Sequence, residues 1–82
     1  MIIIKVTQEH IDSGERENPW GCPVALASEA AGLECATVDE RGITWSASEF
    51  LEESRCLPDH VANIVDNYDR NGVMFPFEFA II

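Results

Sequence analysis

Residues 58–82, PDHVANIVDNYDRNGVMFPFEFAII, carry two different hydrophobic periods one after the other. In the first half, apolar residues recur at helical spacing and predict an amphipathic helix whose buried stripe is Val61, Ile64, Val65 and Tyr68. In the second half, residues 73–82 alternate and predict a strand with one buried face, made of Phe75, Phe77, Phe79 and Ile81. Pro76 suits an edge or the entry to that strand. A helix followed at once by a half-buried strand favours a fold that mixes both elements.

The residues that come earlier predict a strand and two short helices. The β-branched run Ile2–Val6 favours a central strand that is buried on both sides. Thr7 is suited to be the N-cap of a helix over Gln8–Ser13, but His10 stands where a capping box would need Glu or Gln, so we expect no box. An Ala-rich second helix is predicted over Pro23–Ala31.

The middle of the chain predicts a hairpin. Leu33–Asp39 and Ile43–Ala47 are its two strands, and Glu40, Arg41 and Gly42 form its turn. Ser48–Glu53 fits neither period cleanly, and residues 55–57 suggest one more short strand.

We therefore predict an α+β fold in a single small domain over residues 1–82. Its sheet is mostly antiparallel with 4–5 strands, and two or three helices cover one face. The two terminal strands are the most apolar, so we expect them to be neighbours in the centre of the sheet. A chain of 82 residues buries a modest fraction of its surface, which makes self-association a secondary expectation.

The charge of the chain restricts its partners. Fifteen Asp and Glu residues against five Lys and Arg give a formal net charge of −10 and a pI of about 4.3. This balance argues against direct binding to nucleic acid, which requires cationic side chains, and favours a basic partner. Hydrophobic residues make up 46%, which separates the chain from acidic disordered proteins.

The sequence contains no stretch of roughly 20 apolar residues and no signal peptide, so we expect a cytoplasmic protein without a membrane role. Its three cysteines, Cys22, Cys35 and Cys56, lack metal or disulfide spacing. We expect buried, reduced thiols, and the alternative is one exposed thiol that joins two chains. With no complete catalytic or metal motif, we expect no enzyme activity, no cofactor and no metal.

The carboxylates are unevenly distributed along the sequence. Residues 28–55 hold seven acids and two arginines, a net charge of −5. They can form an anionic surface for a basic groove, or they can simply keep the protein in solution. We take these residues as the predicted contacts: Glu40, Glu49, Glu52, Glu53, Asp59, Asp66 and Asp69.

Two other side chain types, histidine and tryptophan, have simpler interpretations. His10 and His60 fit surface or capping roles better than catalysis. Trp45 is expected to be buried beside Ile43. Trp20 can be an interface anchor or a cover over the edge of the core, and the second is favoured slightly.

Two segments carry a resemblance to a known group of proteins. Residues 6–14, VTQEHIDSG, with residues 22–27, CPVALA, resemble the opening of a family of small proteins encoded by phages and prophages. The ending PFEF, residues 76–79, is similar to the same family. Members often carry a second cysteine three residues before the Cys-Pro pair; here that position is Pro19, which argues against a metal or redox role.

The resemblance implies a setting, which is a viral genome inside a bacterial cell. Combined with the charge, it predicts a non-enzymatic inhibitor of a host nucleic-acid-handling complex, of the anti-CRISPR type, that mimics nucleic acid. One alternative is a small enzyme with Cys22 as nucleophile, since a helix N-terminus lowers the pKa of a thiol. Another is a phage structural or assembly protein that acts by self-association, in which a homodimer would be expected.

Overall fold

The computed structural model describes residues 1–39 and 42–81, which contain three helices and five strands. In chain order they are β1 (Ile2–Val6), α1 (Gln8–Ser13), α2 (Pro23–Ala30), β2 (Glu34–Val38), β3 (Gly42–Ser48), β4 (Leu51–Cys56), α3 (Asp59–Asn71) and β5 (Phe77–Ile81). The predicted α+β class is confirmed. No helix in these two ranges is long and apolar enough to span a membrane.

The strands form two antiparallel sheets instead of one. β1 pairs with β5, with Ile2 opposite Ile81 and Val6 opposite Phe77, so the terminal strands are neighbours as predicted. The other sheet has the order β2-β3-β4. The prediction that the terminal strands lie in the centre of a single sheet is therefore wrong.

The side chains of β1 explain this difference. Ile4 is buried, whereas Ile3 and Lys5 are exposed, so the strand is half-buried despite its continuous β-branched run. A strand that buries only one face is stable in a two-stranded sheet if helices cover that face, and the β1–β5 pair shares one hydrophobic cluster with residues of α2 and α3.

The start of α1 corrects a second expectation. The Thr7 hydroxyl accepts a hydrogen bond from the backbone N–H of His10 at 3.4 Å. The His10 ring Nδ1 accepts one from the backbone N–H of Thr7 at 3.1 Å, which completes a capping box. The imidazole nitrogen takes the acceptor role that a Glu or Gln would have, so the predicted absence of a box is wrong.

The hairpin prediction is confirmed for β2 and β3, and the ambiguous region after it becomes a third strand. Glu49 and Phe50 form the turn between β3 and β4, and β4 covers Leu51–Cys56. The predicted turn residues Glu40 and Arg41 lie outside the described part of the chain. Along β4 only Glu53 is half-buried, which is why the strand shows no apolar period.

The last strand is shorter than predicted. β5 begins at Phe77, directly after Pro76, because proline cannot donate to the ladder. Phe75 is 76% exposed and does not belong to the buried face, whereas Phe79 and Ile81 do.

The predicted stripe of α3 is confirmed. Val61, Val65 and Tyr68 are buried in the core, and Ile64 packs against it partly buried. The helix ends at Gly72, whose φ of 72° is the left-handed C-cap conformation that glycine adopts most easily. The core stripe therefore fixes which sides of α3 remain for other contacts.

The two tryptophans differ in their surroundings. Trp45 is 8% exposed and lies in the core with Ile43, as predicted. Trp20 is 63% exposed, so the interpretation of this side chain as a cover over the core is wrong.

Candidate functional site

A cleft of about 370 Å³ lies between the loop that precedes α2 and the surface of α3. Four carboxylates line it, and one guanidinium, that of Arg70, lines it with them. We call it the acidic cleft, and its carboxylates are Glu17, Asp39, Asp66 and Asp69. Asn18 and Pro19 of the loop, together with the core residues Cys22, Val38 and Val65, form the rest of its wall.

Helix α3 supplies two of the carboxylates. Asp66 and Asp69 are three residues apart, a spacing that places neighbouring side chains on one side of a helix. Val65 and Tyr68 stand directly before them and are buried, so packing in the core fixes the rotation of the helix and keeps both acids at the surface. Asp66 pairs with Arg70 at 3.3 Å between Oδ2 and Nε, on an exposed side where such a pair stabilises the helix little.

Arg16 attaches the loop to the end of α3. Its Nη2 donates to the carbonyl oxygens of Asp69 and Arg70 at 3.0 and 2.6 Å, and its Nε donates to that of Asp69 at 3.2 Å. A cation at a helix C-terminus is favourable because the last carbonyls have no partner within the helix. The side chain of Asp69 makes a further hydrogen bond to the loop, because its Oδ1 accepts the backbone N–H of Glu17 at 3.0 Å.

The loop itself is held by its own hydrogen bonds. The side chain Oδ1 of Asn18 accepts from the backbone N–H of Trp20 at 3.0 Å, and the Asn18 carbonyl accepts from Cys22 N–H at 2.9 Å. Pro19 is tied to β2, because its carbonyl accepts the N–H of Val38 at 2.9 Å. The exposed indole of Trp20 therefore stands on a fixed backbone directly after two residues that line the acidic cleft.

The structure separates the seven predicted contact residues into groups. Asp66 and Asp69 line the acidic cleft together. Asp59 is exposed in the first turn of α3, outside the cleft, and Glu40 lies outside the described residues. The remaining three, Glu49, Glu52 and Glu53, belong to the β3–β4 hairpin.

The hairpin carboxylates do not form one row. Glu53 lies opposite Trp45, and Glu52 lies opposite Ser46, so consecutive residues point to opposite faces of the sheet. Glu53 also pairs with Arg55 at 3.1 Å, and the Arg55 guanidinium lies 5.8 Å from the centre of the Trp45 ring. The Arg55 guanidinium therefore neutralises part of the charge of the Glu53 carboxylate.

Two carboxylates of the cleft were missed by the sequence reasoning. Glu17 lies in the loop between α1 and α2, and Asp39 directly follows β2, so both are far from α3 in sequence. No local pattern brings Glu17 to Asp69, because that contact depends on hydrogen bonds between residues more than 50 positions apart. Four carboxylates and one guanidinium give the cleft an excess of negative charge, which attracts cationic groups. Within the described ranges, no three His, Cys, Asp or Glu residues are grouped so that they could hold a metal ion.

Cys22 is a buried N-cap of α2. Its Sγ accepts the backbone N–H of Ala25 at 3.4 Å, and the residue is 3% exposed. Burial raises the pKa of the Cys22 thiol, and the nearby Asp69 carboxylate raises it further, although backbone N–H groups act in the opposite direction. The lowered pKa expected for a cysteine nucleophile is therefore wrong, because loss of solvation outweighs the helix N-terminus.

The other thiols and the second histidine are at the surface. Cys35 and Cys56 are exposed and free, so the expectation of buried thiols holds for Cys22 alone. Cys35 stands at a positive φ of 52° where the pairing of β2 with β3 is irregular, and Cys56 belongs to the exposed strand β4. His60 is exposed on α3, as predicted.

Comparison of the chain with family models, with curated proteins and with solved structures found no match. The resemblance to phage-encoded proteins therefore stays a prediction, and the acidic cleft is interpreted from its own geometry and charge.

Proposed function

We propose that this protein is a binding inhibitor that presents the acidic cleft and its surroundings to a basic, nucleic-acid-binding groove of another protein. The observation that carries the proposal is the gathering of Glu17, Asp39, Asp66 and Asp69 around one cleft in a chain of net charge −10. Carboxylates held at fixed positions can replace phosphates opposite Lys and Arg side chains. The charge of the whole chain accelerates the encounter with such a groove.

Trp20 supports the same proposal. Exposed tryptophans are favoured at the centres of interfaces, and a ring on a fixed loop loses little conformational freedom when it binds. An indole that directly follows Asn18 and Pro19 of the cleft wall is suited to an arginine or lysine side chain that also reaches the carboxylates, because it adds a cation–π contact to the ion pair. Trp20 therefore joins Asp66 and Asp69 among the proposed contact residues.

The partner that fits is a host protein or ribonucleoprotein complex that handles nucleic acid. The resemblance to phage-encoded proteins supports a setting in a bacterial cell, in the cytoplasm, where inhibitors of the anti-CRISPR type act. The other predicted contacts, Glu49, Glu52, Glu53 and Asp59, lie outside the cleft and stay secondary candidates, and so does Glu40, which lies outside the described residues.

Retention of bacterial proteins on the immobilised chain tests the proposal. We expect basic nucleic-acid-binding proteins to be retained at about 0.05 M salt and to be released by added single-stranded DNA. Their apparent affinity should fall roughly a hundredfold or more by about 0.5 M salt, since several ion pairs are lost together. A complex that survives high salt unchanged would contradict the proposal.

Two variants of equal net charge show where the binding occurs. E17Q/D66N/D69N neutralises the cleft and keeps an acceptor oxygen at Asp69, so retention should be lost. The matched control E9Q/E29Q/E78Q removes the same charge from exposed sites elsewhere and should retain most of the binding. Equal losses in both variants would assign the effect to net charge and not to the cleft.

A further inference from the structure

Strand β4 is an outer strand of the three-stranded sheet. Within the described residues it pairs with β3 on one side and with no strand on the other. Alternate residues of such a strand direct their backbone N–H and C=O groups away from the sheet. Arg55 Nη1 donates to the carbonyl oxygen of Ser54 at 2.7 Å, but a carbonyl oxygen can accept a second hydrogen bond. We call the outer side of β4 the open edge.

The other outer strand of this sheet, β2, is protected. Its pairing with β3 is irregular between Glu34 and Thr37. The N–H of Val38 donates to the carbonyl oxygen of Pro19 at 2.9 Å, so the loop before α2 already uses part of this edge. Irregular pairing and cover by a loop both keep an edge strand from pairing further. β4 differs, because residues 52–56 are in regular register with β3.

The side chains of β4 leave the open edge accessible. Only Glu53 is half-buried, Leu51 is 53% exposed, and no residue of the strand belongs to the hydrophobic core. Lysine and proline, which natural edge strands often carry against unwanted pairing, are absent from this strand. A regular, exposed strand without these residues is suited to accept a further strand.

The charges of the sheet indicate which kind of strand fits. Glu52 lies opposite Ser46, and Ser46 lies opposite Glu34, so two exposed carboxylates share one face of the sheet. On the other face, Arg55 pairs with Glu53. A strand added to β4 would place alternate side chains beside Glu52, where lysine or arginine forms favourable cross-strand pairs.

We propose that the open edge of β4 binds an extended, basic segment of another protein, which adds a fourth strand to this sheet. Backbone hydrogen bonds hold the segment, and its alternate Lys or Arg side chains lie on the face that carries Glu52. The net charge of −10 opposes the addition of a second copy of the chain. The proposal does not depend on the acidic cleft, because no residue of β4 lines that cleft.

Hydrogen exchange measured by NMR tests the added strand directly. The probe is a peptide of alternating threonine and lysine, roughly six residues long like a typical strand. The protein carries E17Q/D66N/D69N, so that the acidic cleft does not take up the lysines. We expect alternate amides of residues 51–56 to exchange rapidly in the free protein and to become protected when the peptide binds. If about 5 mM peptide protects none of them, the proposal is overturned.

A methylated form of the same peptide tests the backbone hydrogen bonds. N-methyl groups on two consecutive central residues keep every side chain and charge, but they remove a donor towards β4 whichever edge of the peptide faces the strand. Binding should weaken roughly tenfold or more, because a hydrogen bond is lost and the methyl group separates the two strands. Equal binding of the two peptides would show a contact through side chains alone and would overturn the proposal.

E52K and E29K form a matched pair that tests the position of the charge. Both glutamates are exposed, so both variants should fold, and circular dichroism checks this. E52K sets a lysine beside those of the peptide and should weaken binding roughly tenfold. E29K makes the same change of charge on α2 and should retain most of the binding. Equal losses would assign the binding to net charge, and a free protein that dimerises with the amides of β4 already protected would assign the open edge to a second copy. Either result overturns the proposal.

Discussion

Helix α3 has two exposed sides that differ sharply in chemistry. Asp66, Asp69 and Arg70 face the acidic cleft, whereas Asn63, Ile64 and Asn67 line a depression of about 330 Å³ whose residues have no ionisable side chain. The buried stripe of Val61, Val65 and Tyr68 holds both sides at fixed angles to the core. One helix of 13 residues thus separates a surface rich in carboxylates from a surface without ionisable side chains. The net charge of −10 does not say where the charged side chains lie. The comparison shows that they are unevenly distributed between the two sides of α3.

Among the variants that test this comparison, R16A is expected to have the largest effect, and the effect is expected on the cleft side of α3. The variant removes three hydrogen bonds to the carbonyl oxygens at the end of α3, which should lower the free energy of unfolding by about 1 kcal/mol. The loop should then detach from the helix, so retention of basic proteins falls. Urea denaturation measures the loss of stability, and the retention experiment measures the loss of binding.

R70A is the control for that comparison. Its exposed pair with Asp66 is worth about 0.5 kcal/mol or less, so stability should change little. If R70A and R16A had equal effects on unfolding, the proposed attachment of the loop through Arg16 would be contradicted.

The next effect concerns alkaline pH on the cleft side. Burial raises the pKa of Cys22 above its ordinary value of 9.0, so the folded protein holds this proton more tightly than the unfolded chain. The stability that this thiol contributes is complete below the unfolded pKa and is lost as pH rises through the folded pKa. The free energy of unfolding should therefore decline above pH of about 9, and the decline should be shallower in C22A.

Urea denaturation at several pH values, with a reductant present, measures this decline. C56A removes an exposed thiol and should keep the pH dependence of the original chain. Some decline should remain in C22A, because burial also raises the pKa of Tyr68 above 10.0. A profile of C22A that is identical to the original would contradict the buried position of the thiol.

The smallest effect is spectroscopic. W45F leaves Trp20 as the only tryptophan, and its fluorescence should be quenched readily by acrylamide because the side chain is 63% exposed. A lysine-rich peptide that binds the acidic cleft should change this emission, because Trp20 directly follows two residues of the cleft wall. The converse variant, W20F, retains only the buried Trp45 and should be protected from the quencher and unresponsive to the peptide.

Periodicity predicted the parts of this fold that are decided locally. The spacing of Val61, Val65 and Tyr68 identified α3, and the apolar ends of the chain identified a pair of neighbouring strands. The division into two sheets was not predictable in this way, because a strand such as β1 reads as buried on both faces until its neighbours are known.

The same limit applies to the cleft. Asp66 and Asp69 were predicted from their place on the helix, but Glu17 joins them only through the hydrogen bond of its own backbone to Asp69. The exposure of Trp20 follows from hydrogen bonds of Asn18 and Pro19 that leave the ring outside the core. Neither contact has a local period, so sequence reasoning had no signal for them.

The pairing of β1 with β5 has a consequence for engineering. Ile2 lies opposite Ile81, so the outer ends of β1 and β5 lie side by side. A few added residues could join them, and new ends opened at Glu49 and Phe50 would give a circularly permuted chain. Fusion partners would then be attached at the hairpin tip, whose residues do not line the acidic cleft.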